Sequence, residues 1–135
     1  MKVCERKMVD AMLNYKSVKC CANTHTTVVG DKVYVYLFGN LIAWYEDVTL
    51  YISDSGWKSS TTKSRLNAIL DTFKQSRLSQ SKFEWYRKGL KWEGFAYIYL
   101  DHEAFSNSYP VQGDEYYSGT GELINDSSYE RYLNQ

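Results

Sequence analysis

The fold is decided by residues 24–53, which read THTTVVGDKVYVYLFGNLIAWYEDVTLYIS. This stretch contains four short runs rich in Val, Thr, Tyr and Ile, the residue types that favour strands. Spacers of turn length separate the runs, and a glycine or polar pair between two such runs is typical of a β-hairpin. We therefore predict four antiparallel strands in a meander, over residues 24–29, 32–37, 41–45 and 48–53.

The second run shows what each face of this sheet carries. Val33, Val35 and Leu37 alternate with Tyr34 and Tyr36, and successive side chains on a strand point to opposite faces. One face is therefore aliphatic and the other aromatic. The aromatic face is either a second packing layer or a contact surface for a partner.

Two amphipathic patterns predict a helix on each side of the meander. The N-terminal helix ends between residues 14 and 23. The central helix begins near Thr61 or Thr62, after hydroxyl side chains that can cap it. The apolar stripes are Cys4, Met8, Ala11, Met12 and Tyr15 on the first helix, and Leu66, Ile69, Leu70 and Phe73 on the second.

The rest of the chain completes the predicted sheet. A polar loop over residues 75–81 precedes two strands, over residues 82–87 and 92–100, which are joined by a turn at 88–91. We expect Phe83 and Trp85 to share one face of the first strand. On the second strand, the two faces carry Ala96, Ile98 and Leu100, and Phe95, Tyr97 and Tyr99.

The predicted fold class is α+β. A single domain over residues 1–100 has an antiparallel sheet of about five or six strands, on which the N-terminal and central helices pack. Residues 101–135 form an irregular, acidic, tyrosine-rich C-terminal segment. With 44% hydrophobic and 16% aromatic residues in 135, the chain is not of the disordered class. The charged N-terminus and the lack of an apolar run of roughly 20 residues argue against a secreted or membrane protein.

The formal charge of zero hides an asymmetry. Residues 1–100 hold 15 Lys+Arg and 9 Asp+Glu, whereas residues 101–135 hold one and seven. Residues 57–91 alone carry nine cations, with Asp71 and Glu84 as the anions. The pattern indicates either a basic surface on which the acidic segment can lie, or a solvated helix face and a tail that keeps the chain soluble.

The three cysteines and two histidines give little support for metal or catalytic chemistry. Without a secretion signal we expect reduced thiols, and neighbouring Cys20 and Cys21 rarely bridge each other. A zinc site formed by Cys4, Cys20, Cys21 and His25 lacks the paired spacing of structural zinc sites, so we expect no metal and no cofactor. His25 and His102 have no nucleophile in a recognised setting, and no phosphate- or dinucleotide-binding glycine motif occurs. We therefore expect a protein that is not an enzyme.

Two kinds of binding remain. Residues 82–92, KFEWYRKGLKW, interleave cations with large rings, as single-strand nucleic-acid platforms do, although the same rings also suit a protein core. Exposed Tyr and Trp also anchor protein interfaces, and an acidic tail can fill a cationic groove as a nucleic-acid mimic. The predicted partner-binding residues are Lys63, Arg65, Trp85, Arg87, Lys88, Lys91, Trp92, Asp114, Glu115, Tyr116 and Tyr117.

Three segments resemble a family of small phage and prophage proteins. They are GNLIA at 39–43, ISDSGW at 52–57 and TTKSRLNAIL at 61–70, with Phe83, Trp85 and Tyr86 resembling a later strand. The resemblance covers about residues 1–100, and the acidic segment departs from it. It implies a phage origin and transfers no activity.

A phage origin implies a way of acting. Small phage accessory proteins often bind a host defence complex that handles nucleic acid, so we expect an anti-CRISPR or other anti-defence inhibitor in the host cytoplasm, bound to a defence protein or nucleoprotein complex. In this interpretation Trp57 seats its turn against the core and Arg65 pairs with an acidic neighbour. Alternatively, Trp57, Lys63 and Arg65 form a contact surface. Two further functions stay open at this point: a nucleic-acid-binding accessory protein, and a structural or assembly protein of the phage.

Overall fold

A computed structural model describes residues 1–100 of the chain and confirms the α+β class. Two helices, α1 (Val3–Asn14) and α2 (Ser60–Thr72), accompany two antiparallel sheets. The six-stranded sheet has the order β1-β2-β3-β4-β5-β9, and the three-stranded sheet has the order β6-β7-β8. Their strands are β1 (Lys19–Cys21), β2 (Thr24–Val29), β3 (Lys32–Leu37), β4 (Asn40–Glu46), β5 (Thr49–Ser53), β6 (Leu78–Ser81), β7 (Glu84–Arg87), β8 (Leu90–Lys91) and β9 (Phe95–Tyr99).

The predicted meander is confirmed as β2 to β5. Val33 and Val35 of β3 are fully buried, whereas Tyr34 and Tyr36 are half-buried on the opposite face. Both helices lie on the aliphatic face, where the predicted stripes supply Met8 and Ile69, each fully buried. The hydrophobic effect of closing this layer is the main stabilising contribution.

The start of α2 follows the predicted capping chemistry. Ser59 is the N-cap, and its Oγ accepts a hydrogen bond of 3.1 Å from the backbone N–H of Thr62. A serine in this position satisfies one of the donors that the first turn of a helix leaves unpaired. The helix therefore begins at Ser60, one or two residues before the predicted start.

The polar loop predicted at residues 75–81 is wrong, because it contains strand β6. The buried side chain of Asn67 in α2 fixes this strand: its Nδ2 donates to the carbonyl of Leu78 at 3.0 Å, and its Oδ1 accepts from the N–H of Leu78 at 2.7 Å. The β6–β7 hairpin thus lies along α2. Phe83 is not in a strand beside Trp85 but in the hairpin turn, and Trp92 precedes β9 instead of beginning it.

The aromatic side of the large sheet carries contacts between neighbouring strands. Tyr36 stacks on His25 with ring centroids 4.9 Å apart, and Trp44 stacks on Tyr51 at 5.9 Å. Trp44 and Tyr97 are buried, at 6% and 8% exposed, although they point away from the helices. This burial favours the packing-layer interpretation for the centre of that face.

Candidate functional site

Three large aromatic side chains are exposed at turns of the structure. Phe38 is 63% exposed, Trp57 60% and Phe83 93%. Each follows the last residue of a strand by one to four positions. Single exposed apolar side chains are common on folded domains, whereas several grouped together mark contact sites, so the place where these rings lie defines the candidate site.

Phe38 is displayed by a tight turn between β3 and β4. Leu37 and Asn40 pair across the hairpin, and the two residues between them, Phe38 and Gly39, have φ of 53° and 79°. Such a two-residue turn needs positive φ at both positions, which glycine adopts freely and phenylalanine does not. The N–H of Phe38 donates to the carbonyl of Asn23 at 2.8 Å, which fixes the turn against the neighbouring hairpin.

Trp57 follows a turn organised by the buried carboxylate of Asp54. Oδ1 of Asp54 accepts from the N–H of Gly56 at 2.7 Å, and Oδ2 accepts from the indole Nε1 of Trp92 at 2.9 Å. The backbone N–H of Trp57 donates to the Asp54 carbonyl at 2.8 Å. The prediction that Trp57 seats the turn against the core is wrong, because Asp54 and Trp92 do this and the Trp57 ring faces solvent.

Phe38 and Trp57 line the same cleft, together with the N-terminal residues of α2. The cleft has a volume of about 160 Å³ and its lining includes the buried side chains of Leu37 and Ile42. The side chains of Asn40 and Thr61 also reach it. Two exposed rings over an apolar floor make this cleft a place where a flat or apolar group can be buried.

Phe83 reaches the same end of the molecule by way of the β6–β7 hairpin. β6 runs antiparallel to α2, since Leu78 contacts Asn67 and Gln80 accepts a hydrogen bond of 2.7 Å from Nζ of Lys63. Two more strand residues advance about as far as one helical turn. The turn that holds Phe83 is therefore about level with the N-terminus of α2.

Three lysines lie at the same end of the molecule as these rings. Lys58 and Lys82 are exposed, and Lys63 is half-buried with its Nζ 5.9 Å from the centre of the Trp85 ring. Lys58 Nζ lies 3.5 Å from Asp54 Oδ2, a pair that is open to solvent on the lysine side. We name the set the aromatic–basic surface; it consists of Phe38, Trp57, Lys58, Lys63, Lys82 and Phe83.

The structure places few of the predicted partner-binding residues on this surface. Lys63 belongs to it. Arg65, Trp85, Arg87 and Trp92 are buried at 3–6% exposed, so residues 82–92 do not present the predicted aromatic platform. The core interpretation holds for Trp85 and Trp92. Phe38 and Phe83 were missed because the first sits in a segment assigned only as a turn and the second in a segment assigned as a strand.

The remaining predicted residues lie elsewhere. Lys88 is in the β7–β8 turn, at the opposite end of the small sheet from Phe83. Lys91 Nζ lies 3.6 Å from Glu84 Oε1 on the same sheet. Asp114, Glu115, Tyr116 and Tyr117 fall outside the described residues, as does His102.

Arg65 has a structural partner, as predicted. Its Nη1 lies 2.8 Å from Oε2 of Glu5 in α1, its Nε donates to Thr24 Oγ1 at 3.0 Å, and its Nη2 donates to Asn23 Oδ1 at 3.2 Å. Burial alone would raise the pKa of the Glu5 carboxyl, but hydrogen bonds from Ser64, the Lys2 backbone and Arg65 outweigh it and hold that pKa below its ordinary value of 4.5. The pair joins α1 to α2 and to the start of β2.

The prediction of three reduced thiols is wrong for two of them. Cys4 in α1 and Cys21 in β1 form a disulfide, with their Cα atoms 5.5 Å apart. Cys20 is free and buried, and burial raises the pKa of its thiol. The disulfide occupies two of the four ligands considered for zinc. Within residues 1–100, no group of three or more His, Cys, Asp or Glu side chains is arranged to hold a metal ion.

Comparison with known proteins identifies the family. A family model described as Kyanoviridae Gp96 protein matches residues 1–119 of the 135. The chain belongs to this family. Family membership confirms the predicted phage origin of the Gp96-family chain.

The Gp96 match continues past residue 100 to residue 119 and so includes the first part of the acidic segment. No curated protein and no solved structure matches the chain. Neither helix in residues 1–100 of this Gp96-family member has the length and apolar character needed to cross a membrane.

Proposed function

We propose that this Gp96-family protein is a non-catalytic binding protein that inhibits a nucleic-acid-handling defence complex in the host cytoplasm, as an anti-CRISPR or another anti-defence protein does. The aromatic–basic surface is the part of the molecule that contacts the complex. The family match supports the phage origin, and the observation that carries the proposal is the presentation of Phe83.

Phe83 is held in a conformation that its own side chain disfavours. It is 93% exposed, and both residues of its turn have positive φ, 51° at Lys82 and 68° at Phe83. A left-handed conformation costs a non-glycine residue about 1–2 kcal/mol. The fold is therefore less stable than it would be with Asn-Gly, the residue pair that this turn favours. Strained residues cluster at sites that contact ligands or partners, which supports a contact role for this ring.

The composition of the surface fits a macromolecular partner. Protein interfaces concentrate their binding energy in a few large side chains, with aromatic residues among the most frequent. Lys58, Lys63 and Lys82 add positive charge around the rings, and a complex that holds nucleic acid presents phosphates that such charge complements. Described residues 1–100 carry a net formal charge of +6, which favours the same class of partner.

The proposal is tested by phage plating on a bacterial host whose defence system cleaves phage nucleic acid. We expect the wild-type protein to restore plaque formation by a sensitive phage. A Trp57→Ala/Phe83→Ala variant should lose this protection. Val29→Ala is the matched control, since Val29 is 59% exposed at the opposite end of the sheet and should leave protection intact.

Two results contradict the proposal. The first is a wild-type protein that gives no protection against any nucleic-acid-cleaving defence system of its host. The second is full protection by the double variant at the same expression level, which would remove the aromatic–basic surface from the interaction.

A further inference from the structure

We propose that the cleft between Phe38 and Trp57 binds one unpaired base of a single-stranded nucleic acid. The inference rests on the proposed function, because it identifies the exposed single strand of the target complex as the ligand of the aromatic–basic surface. It concerns one part of that surface and is tested separately.

The size of the cleft fits one ring system. At about 160 Å³ it is smaller than the roughly 300–1,000 Å³ of pockets that take drug-sized ligands. Its floor includes the buried side chains of Leu37 and Ile42, and its rim carries the exposed rings of Phe38 and Trp57. A base has two apolar faces, and aromatic side chains bind single strands by stacking on such faces.

The polar lining suits the edge of a base. Asn40 presents an amide with both donors and an acceptor, and Thr61 presents a hydroxyl. Neither side chain makes a hydrogen bond to another of the described residues 1–100. An aliphatic or phenyl side chain from a protein partner would leave these groups unmatched, whereas the edge of a base offers donors and acceptors to both.

The charges around the cleft suit the backbone of the strand. Lys58 lies beside the cleft, with its Nζ 3.5 Å from Oδ2 of the lining residue Asp54. The carboxylate of Asp54 is itself engaged. Asp54 is buried and accepts hydrogen bonds from Gly56 and Trp92, while Glu84 pairs with Lys91. A phosphate next to a stacked base therefore meets the ammonium group of Lys58.

Intrinsic fluorescence provides a direct readout on the full-length protein. Of the four tryptophans in the chain, Trp57 is 60% exposed, and Trp44, Trp85 and Trp92 are at most 6% exposed. Single-stranded oligo(dT) of about twelve nucleotides, a length within the usual site sizes, should quench the fluorescence saturably at low salt. A duplex of the same length should bind more weakly, because its bases are not free to stack.

Anisotropy of labelled oligo(dT) tests the residues. Loss of one stacking ring is worth about 1–3 kcal/mol, so Trp57→Ala and Phe38→Ala should each weaken binding about 5- to 150-fold. Lys58→Gln should reduce the steepness of the salt dependence by about 0.7 in a plot of log K against log salt. Lys16→Gln, an exposed lysine just past the C-terminal end of α1, should leave it unchanged.

The outcomes separate this inference from the proposed function. Absence of oligo(dT) binding, equal affinity for duplex, or affinity unchanged in Trp57→Ala and Phe38→Ala overturns the base-binding cleft. If a Trp57→Ala single variant loses protection in the plating assay in that case, the cleft takes a protein side chain and the proposed function stands. Oligo(dT) binding that requires both rings, without any protection, supports the cleft and contradicts the inhibitor.

Discussion

Trp92 and Asp54 are joined across 38 residues by a buried hydrogen bond, with the indole Nε1 donating to Oδ2 at 2.9 Å. The same carboxylate holds the turn that ends at Trp57, through Gly56. A backbone hydrogen bond links the same two segments, since the N–H of Asp54 donates to the carbonyl of Gly94 at 2.9 Å. The segment before β9 therefore positions one wall of the cleft.

Trp92→Phe should destabilise the protein although it conserves most of the buried ring. The substitution removes the indole donor and leaves a buried carboxylate oxygen without that partner. The cost of such a loss is about 1–3 kcal/mol, to be measured as the free energy of unfolding in urea. Trp57→Phe is the matched control and should change this free energy by less than about 0.5 kcal/mol, because the ring is exposed. Equal effects of the two substitutions would contradict the role of the Asp54 bond.

The buried ion pair of Glu5 and Arg65 predicts strong coupling between the helices. Arg65→Met leaves the carboxylate of Glu5 buried without its cation, and Glu5→Gln leaves the guanidinium without its anion. Removing one partner of a buried pair costs about 3–5 kcal/mol. In a double-mutant cycle the combined variant should lose clearly less than the sum of the two singles. Additive losses would show that the two side chains do not interact.

The lowered pKa of Glu5 predicts a specific loss of stability in acid. A group whose folded pKa lies below its unfolded value stabilises the fold above the unfolded pKa, here about 4.5. This contribution is lost as the pH falls through the folded pKa. Unfolding free energies measured from pH 6 to pH 2 should therefore fall in wild type below about pH 4.5, and less steeply in Glu5→Gln. Parallel curves for the two proteins would exclude Glu5 as a source of acid sensitivity.

The meander was predictable because the sequence features that specify it lie close together along the chain. The boundaries of β2 and β3 match the prediction, since alternation and the turn at Gly30 and Asp31 act over neighbouring residues. The β6–β7 hairpin of the second sheet was not predictable, because its turn residues, Lys82 and Phe83, lack the glycine or asparagine that marks such turns. Its anchor is the side chain of Asn67, which a helical pattern assigns to the polar side.

The candidate site was less predictable than the fold. Composition located cations and rings in residues 57–91, but which rings face solvent depends on tertiary contacts. Trp85 and Trp92 are buried, whereas Trp57 and Phe83 are exposed. The pairing of Cys4 with Cys21 likewise depends on how α1 docks beside β1, which spacing alone does not reveal.

Reduction of the disulfide should lower the free energy of unfolding but leave the protein folded. The bond joins two cysteines 17 positions apart in the sequence, and closure of a loop of this size contributes about 3 kcal/mol. The Glu5–Arg65 pair joins α1 to the same region, so a cooperative unfolding transition should persist in reductant. Cys4→Ser should show the lower stability with and without reductant. Alkylation of the unfolded protein should add one group before reduction, at Cys20, and three after it.

The positive φ angles at Lys82 and Phe83 predict that a substitution favouring this turn raises the stability of the protein and lowers its binding to the partner. Replacing it with Lys82→Asn and Phe83→Gly supplies residues that adopt positive φ readily, so the free energy of unfolding should rise by about 1–2 kcal/mol. The same variant loses the exposed ring and should no longer protect phage in the plating assay. Val29→Ala should change neither quantity appreciably. The expectation follows because a ring that is kept exposed at a cost to folding should contribute to binding a partner. A variant that is both more stable and fully protective would show that the ring of Phe83 has no part in binding.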